Sequence, residues 1–183
     1  MLVIDPTRTW RKVEERLKRE THPVLRRNLE TVLAHMKAEA HADLDGLMRT
    51  VAETAHYHAY GSEDQAWLNP KGKAAVRRFY QDFVASGAVR LMFDVDRLVV
   101  DTDCVVTEGV MRMAYPGKTL ALMGKAIDDP EAFYLFETRM CVVWPLDRDG
   151  LVLGEDSYTG GDGFVGIEGR KLSERDIGTL PAA

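Results

Sequence analysis

Apolar residues recur at helical spacing through the first half of the chain and at strand spacing through most of the second. Trp10, Val13 and Leu17 share one face of a charged stretch, Pro6 to Glu20, capped by Thr7 or Thr9, which predicts a first helix. A break at Thr21-His22-Pro23 starts a second, Val24 to Ala42, with Leu25, Leu29, Val32, Leu33 and Met36 as its apolar face and His35 beside it. Asp43 caps a short third helix, Leu44 to Ala52. Ala55 to Tyr60 reads as a first strand closed by Gly61, and a polar loop leads to a helix over Lys73 to Ala85 whose stripe is Val76, Phe79, Tyr80 and Phe83. From Val89 the period becomes that of strands: Arg90 to Val100, a turn at Asp101-Thr102-Asp103, then Cys104 to Tyr115. Pro116 to Pro130 reads as an irregular insertion. Phe133 to Pro145 and Leu151 to Tyr158 flank an Asp149-Gly150 turn, a strong hairpin signal. The glycine-rich tail from Gly160 reads as an extended flap, a lid or a dimer arm.

Helices followed by a meander of antiparallel strands predict an α+β domain over 1–183, with 1–22 as a helical extension and 160–183 as a tail. A curved sheet wrapped around helices makes a cone with one mouth. The 45% hydrophobic content supplies a sizeable core, and a net charge of −5 leaves no basic footprint for nucleic acid or an anionic membrane surface. Cys104 and Cys141 lie in apolar β-type runs and are expected as buried free thiols. The apolar start of the chain is too short for a signal peptide, and no run is long enough to span a membrane, so a soluble cytoplasmic protein is expected.

Five segments carry a family resemblance: Asp43-Leu-Asp-Gly-Leu-Met, Ala52-Glu-Thr-Ala-His-Tyr-His, Lys71-Gly-Lys-Ala-Ala-Val-Arg-Arg-Phe-Tyr80, Leu98-Val-Val-Asp-Thr-Asp103 and the hairpin running to Glu155-Asp-Ser-Tyr158. Their order and spacing over residues 25–160 resemble the nuclear transport factor 2-like superfamily, in particular its SnoaL-like branch. That group includes ketosteroid isomerase, limonene epoxide hydrolase, scytalone dehydratase and polyketide cyclases. The resemblance implies the cone fold and a pocket that works without cofactor or metal; it does not choose a reaction, because this fold hosts many. The catalytic base of the isomerase falls on Ala59, its oxyanion tyrosine on His35 and its second acid near Val142, so the isomerase set is incomplete. The epoxide hydrolase tyrosine falls on Tyr57, but its asparagine partner again falls on Ala59.

The candidate catalytic residues are Glu155, His35 and Tyr57. By the parity of the resembling strand, Glu155 faces inward with Leu153 and Ser157, where apolar burial suits it to general-base work; the plainer alternative is a structural ion pair. His35 suits proton transfer, or is a helix-edge histidine satisfied by a neighbour. Tyr57 can donate a phenolic hydrogen bond to a substrate oxygen, or is packed core. His56 and His58 could hold a metal together if they face inward, but the resemblance puts Tyr57 inward instead, with no metal. Arg90 and Asp94 share a strand face and are read as substrate-binding residues at the mouth, against a rim salt bridge. Phe136, Met140 and Trp144 share another face as an apolar lining, with Ser157 and His58 completing the substrate-binding set. The expectation is a cofactor-independent acid–base enzyme on a small, largely apolar substrate, assembled as a homodimer. The rival is a non-catalytic ligand-binding or interaction module of the same fold.

Overall fold

A computed structural model describes residues 2–62 and 64–180. Met1 and 181–183, the ends of the predicted extension and tail, and Glu63 of the polar loop lie outside the described residues. Five helices, α1 (Arg8–Leu17), α2 (Pro23–Ala40), α3 (Leu44–Arg49), α4 (Lys73–Ala85) and α5 (Gly117–Leu122), accompany strands β1 (His58–Tyr60), β2 (Leu91–Val100), β3 (Cys104–Pro116), β4 (Phe133–Pro145), β5 (Asp156–Thr159) and β6 (Lys171–Leu172). The fold is α+β with a curved, unclosed sheet of order β1-β5-β4-β3-β2, and β6 pairs with the start of β4. The sheet is mixed, whereas the sequence pattern predicts an antiparallel one: β1 runs parallel to β5, pairing His58 with Asp156 and Tyr60 with Tyr158.

Local chemistry sets the element ends. Pro23 occupies the first turn of α2, where its missing N–H costs nothing. At the other end Asp43 N–H donates to the Ala38 carbonyl (2.8 Å) and Ala42 N–H to the Glu39 carbonyl (2.9 Å). This is a Schellman turn, with Ala42 at φ 54° in the place glycine prefers. It stops α2 two residues short of the predicted Ala42. The Asp43 side chain then accepts from Gly46 N–H (2.8 Å) and caps α3, which ends at Arg49 rather than Ala52. Asn28 and Arg27 near the start of α2 clamp both sheet turns. Asn28 Nδ2 donates to the Asp101 and Thr102 carbonyls (2.9 and 3.0 Å), and Arg27 Nη1 to the Arg148 carbonyl (2.7 Å). Gly150, at φ 83°, packs its α-carbon against the Arg27 side chain, so the turn residue also admits the clamp.

Period-two alternation holds along β4: Tyr134, Phe136, Thr138, Met140, Val142 and Trp144 face the concave side. Leu29, Val32 and Met36 of α2 and Val76 and Tyr80 of α4 pack with Val142 and Trp144 against this side to form the main core. Burying a side chain of this size contributes about 1.5–3 kcal/mol, and the curved sheet concentrates that burial on two helices. A second cluster fills the far end of the same side, where Leu91, Met113, Tyr134 and Phe136 meet Leu120 and Ile167. A third lies on the opposite face, where Ile4 and Ile177 cover Met92 and Ala114.

The tail is therefore not an extended flap. It pairs with β4 through β6, seats Phe164 on Phe136 (ring centroids 4.7 Å) and lays Ile177 beside Ile4 in a parallel bridge. The insertion at 116–130 also carries structure, since it contains α5. Cys104 and Cys141 are free, as expected, but only half-buried. Among the described residues no helix is long and apolar enough to cross a membrane.

Candidate active site

His35 lies on the inward face of α2 and is fully buried. Four elements converge on it: Thr50 at the end of α3, Tyr80 from α4, Trp144 from β4, and Glu155 from the segment before β5. Segment 152–155 reaches this position by running beside residues 50–58. Ala52 N–H donates to Val152 O (2.9 Å), His56 N–H to Leu153 O (2.7 Å) and His58 N–H to Glu155 O (3.1 Å). Gly154 is required there, since a Cβ would stand 2.5 Å from the His56 carbonyl.

The hydrogen-bond inventory restricts where the protons sit. The Thr50 hydroxyl spends its single hydrogen on the Leu47 carbonyl (2.6 Å), so its Oγ1 accepts from His35 Nδ1–H (2.7 Å). The Tyr80 hydroxyl donates to Glu155 Oε1 (2.5 Å). His35 Nε2 then faces two acceptors, Glu155 Oε1 at 2.9 Å and the Tyr80 oxygen at 3.1 Å. Nε2 and Oε1 are thus within hydrogen-bond reach of each other, and Thr50 fixes the orientation of the ring. Trp144 closes the apolar side, edge-on to the imidazole at 5.3 Å, with its own Nε1–H donated to Thr107 Oγ1 (2.9 Å).

Tyr57 is buried beside this cluster with ring contacts to Tyr80 (6.2 Å) and Phe79 (6.4 Å), and its hydroxyl lies near Tyr80 and Glu155 without a hydrogen bond of good geometry to either. A buried unpaired hydroxyl costs about 1–3 kcal/mol, so it marks a place where a partner from outside would be welcome. Burial, reinforced by the Glu155 charge, holds the Tyr57 and Tyr80 phenols well above their ordinary pKa, so both remain hydrogen-bearing donors.

Glu39, one turn beyond His35 on α2, completes the group. Glu39 is only half-buried, yet the packing around its carboxyl first, then the Glu155 charge, pushes it up to about 8. With Tyr80, Leu44, Leu47 and Phe83 it lines a crevice of about 10 Å³ between α2, α3 and α4, room for about one water. A wider groove of about 310 Å³ lies on the outer side of α2 and α3, walled by Lys37, His41 and Arg49, with Thr50 at its edge.

The structure thus brings Glu155, His35 and Tyr57 together, with Trp144 against His35 and Met140 packed on the same core. Five other candidates lie away from this cluster. Arg90 and Asp94 share a face, but it is the one turned from the core. Asp94 is ion-paired to Arg8 of α1, while Arg90 lies over the Phe133 ring and 3.7 Å from Glu174. Phe136 shares the Trp144 face, yet eight residues of strand put it roughly 27 Å away, under the tail. His58 points away from the Tyr57 side, with Nδ1 bonded to Asp156 (2.8 Å) and its ring 3.7 Å from His56. Ser157 pairs with Val142 on the inner side but donates to the His58 carbonyl (3.3 Å). Among the described residues no group of three or more His, Cys, Asp or Glu is arranged to hold a metal. Glu39, Tyr80 and Thr50 escaped sequence reasoning. The usable signals were the four-residue step from His35 to Glu39 and a hydroxyl inside the apolar stripe of α4.

No curated protein matches the chain at a significant level. Solved structures show the fold. A Mycobacterium tuberculosis LEH-like epoxide hydrolase is 17% identical with a TM-score of 0.58, over 79% of this chain and 92% of that one. A Shewanella denitrificans protein assigned as a SnoaL-like polyketide cyclase is 14% identical with a TM-score of 0.60, over 75% and 91%. A Mycobacterium tuberculosis protein in complex with estradiol-17β-hemisuccinate is 15% identical with a TM-score of 0.54, over 72% and 92%. The model of the SnoaL-like domain matches residues 32–153, which run from α2 through the hairpin turn and carry most of this cluster, so the chain belongs to the SnoaL-like family.

Proposed function

We propose that the protein is a cofactor-independent acid–base enzyme acting on a small, largely apolar substrate, aromatic or polycyclic. The observation that carries this is the 2.9 Å approach of His35 Nε2 to Glu155 Oε1 beside the buried Tyr57 hydroxyl. The Glu155–His35 pair acts as the base, and Tyr57 donates to the oxygen on which charge develops. Dehydration, isomerisation, cyclisation and retro-aldol cleavage need only these two operations. The apolar side chains packed around the pair and the steroid conjugate bound by a structural relative support the substrate class.

Turnover of a panel of hydroxylated and carbonyl-bearing polycyclic compounds, with an epoxide included, tests this. Glu155→Gln removes the proton-accepting charge at nearly constant shape, and should cost about 10²–10⁴ in rate with little change in melting temperature. Wild-type turnover in that variant would remove Glu155 from the mechanism.

The water-sized crevice favours a second reading, a ligand-binding module without chemistry. Saturable binding of a steroid probe with no product from any member of the panel would support that alternative.

A further inference from the structure

Glu39 has no part in the reading above, yet its position is specific. It follows His35 by four residues on α2, which puts both carboxyl and imidazole on one face of the helix. It lines the crevice together with Tyr80, whose hydroxyl is bonded to the Glu155–His35 pair. The titratable groups around it are His35 on its own helix, Asp43 beyond the α2 turn, Tyr80 on α4, Tyr57 before β1 and Glu155 before β5. Among the described residues no lysine or arginine forms an ion pair with it, and Lys37 on the same helix reaches Glu14 instead (2.8 Å).

We propose that Glu39 is the proton donor of this site, working against the Glu155–His35 pair with Tyr80 between them. The inference rests on the enzymatic reading and narrows it to substrates with an oxygen that must be protonated as it leaves. In an elimination, the pair takes a proton from carbon and the C–H electrons form the new C=C bond. The C–O bond breaks, and the leaving hydroxyl takes the Glu39 proton and departs as water. Glu39 is then a carboxylate and the pair carries one proton more. Glu39 regains a proton from water and the pair gives its extra proton back to water, which restores the site with no net loss. Two neighbouring carboxyls in a buried site do not both ionise readily, and the raised value of Glu39 agrees with the assignment of acid to Glu39 and base to Glu155.

The test is a carbon-13 titration of glutamate carboxyls in the full-length protein, followed by the pH–rate profile on whichever panel compound turns over. One carboxyl should titrate near 8, and Glu39→Gln should abolish that resonance. The wild-type rate should fall above the same pH, whereas Glu39→Gln should be slow, by about 10²-fold or more, with that limb absent. Glu39→Asp should restore part of the rate. Should Glu39→Gln fail to fold, the wild-type titration still decides, with Glu39→Asp identifying the resonance. An ordinary titration for every glutamate with turnover intact would overturn the role of Glu39 alone, whereas a panel without turnover would overturn the enzymatic reading and the donor role together.

Discussion

At the scale of single residues, Glu39 ties the site to stability. Its carboxyl has an ordinary value of 4.5 in the open chain and about 8 in the folded protein. Between those values the folded state holds more protons than the unfolded one, so stability falls as pH rises. The contribution is fully present below about 4.5 and gone above about 8. Urea denaturation of wild type and Glu39→Gln should show this slope in the first and its loss in the second; equal slopes would mean that the carboxyl titrates ordinarily in the fold. Much of the candidate cluster was legible at this scale, and what was not legible has a physical cause. Glu155, His35 and Tyr57 carry chemistry unusual for their apolar surroundings, so they stand out. Tyr80 fits its stripe as a core aromatic, and its hydroxyl matters only because Glu155, 75 residues away in the chain, arrives 2.5 Å from it. Glu39 looks like any polar residue near a helix end until α3 and α4 pack around it. Arg90 and Asp94 lie on the outer face, because strand parity says which residues share a face, not which face is inside.

At the scale of elements, the long periodic segments were legible and the contacts between distant ones were not. The two helices of the main core and the three long strands follow from patterns within their own residues. The parallel pairing of β1 with β5 joins residues nearly a hundred positions apart, and β1 is only three residues long, too short to declare a partner. The tail misled for a related reason. Its glycines suggest mobility, but Phe164 and Ile167 are packed on the concave side of the sheet and Arg170 donates to the carbonyls of Gly163 (2.6 Å) and Val165 (2.9 Å). If this segment is structural, Ile167→Ala should destabilise by about 2–5 kcal/mol, the range for truncating a buried isoleucine. A flap free to open would lose under about 0.5 kcal/mol, as at ordinary surface positions. Thermal or urea denaturation separates the two, and the same variant should leave proton exchange at the His35 ring unchanged, because the second cluster is far along the strand from Trp144.

At the scale of the whole molecule, the question is what the convex face of the sheet does. Apolar side chains on that face would favour the expected homodimer, because a monomer should hide them. The chain hides part of them itself, because Ile4 and Ile177 cover Met92 and Ala114. What remains is largely a cross-strand ion-pair network. Arg139 bridges Asp96 (2.5 and 2.9 Å) and Glu108 (2.7 Å), Arg97 reaches Glu108 (2.7 Å), and Arg112 reaches Glu137 (2.5 Å). Val99 stands exposed beyond this network on the neighbouring strand. A dimer through such a face would depend on charge more than on apolar area, and exposed charges are screened over about 10 Å at 0.1 M salt. We therefore expect a homodimer whose association weakens as salt rises, read by sedimentation equilibrium at low and high ionic strength. Charge reversal at Arg139 should weaken it further, since one guanidinium holds two carboxylates in place. A dimer indifferent to both changes would have to use another surface, and a monomer at every concentration and salt would remove the dimer altogether.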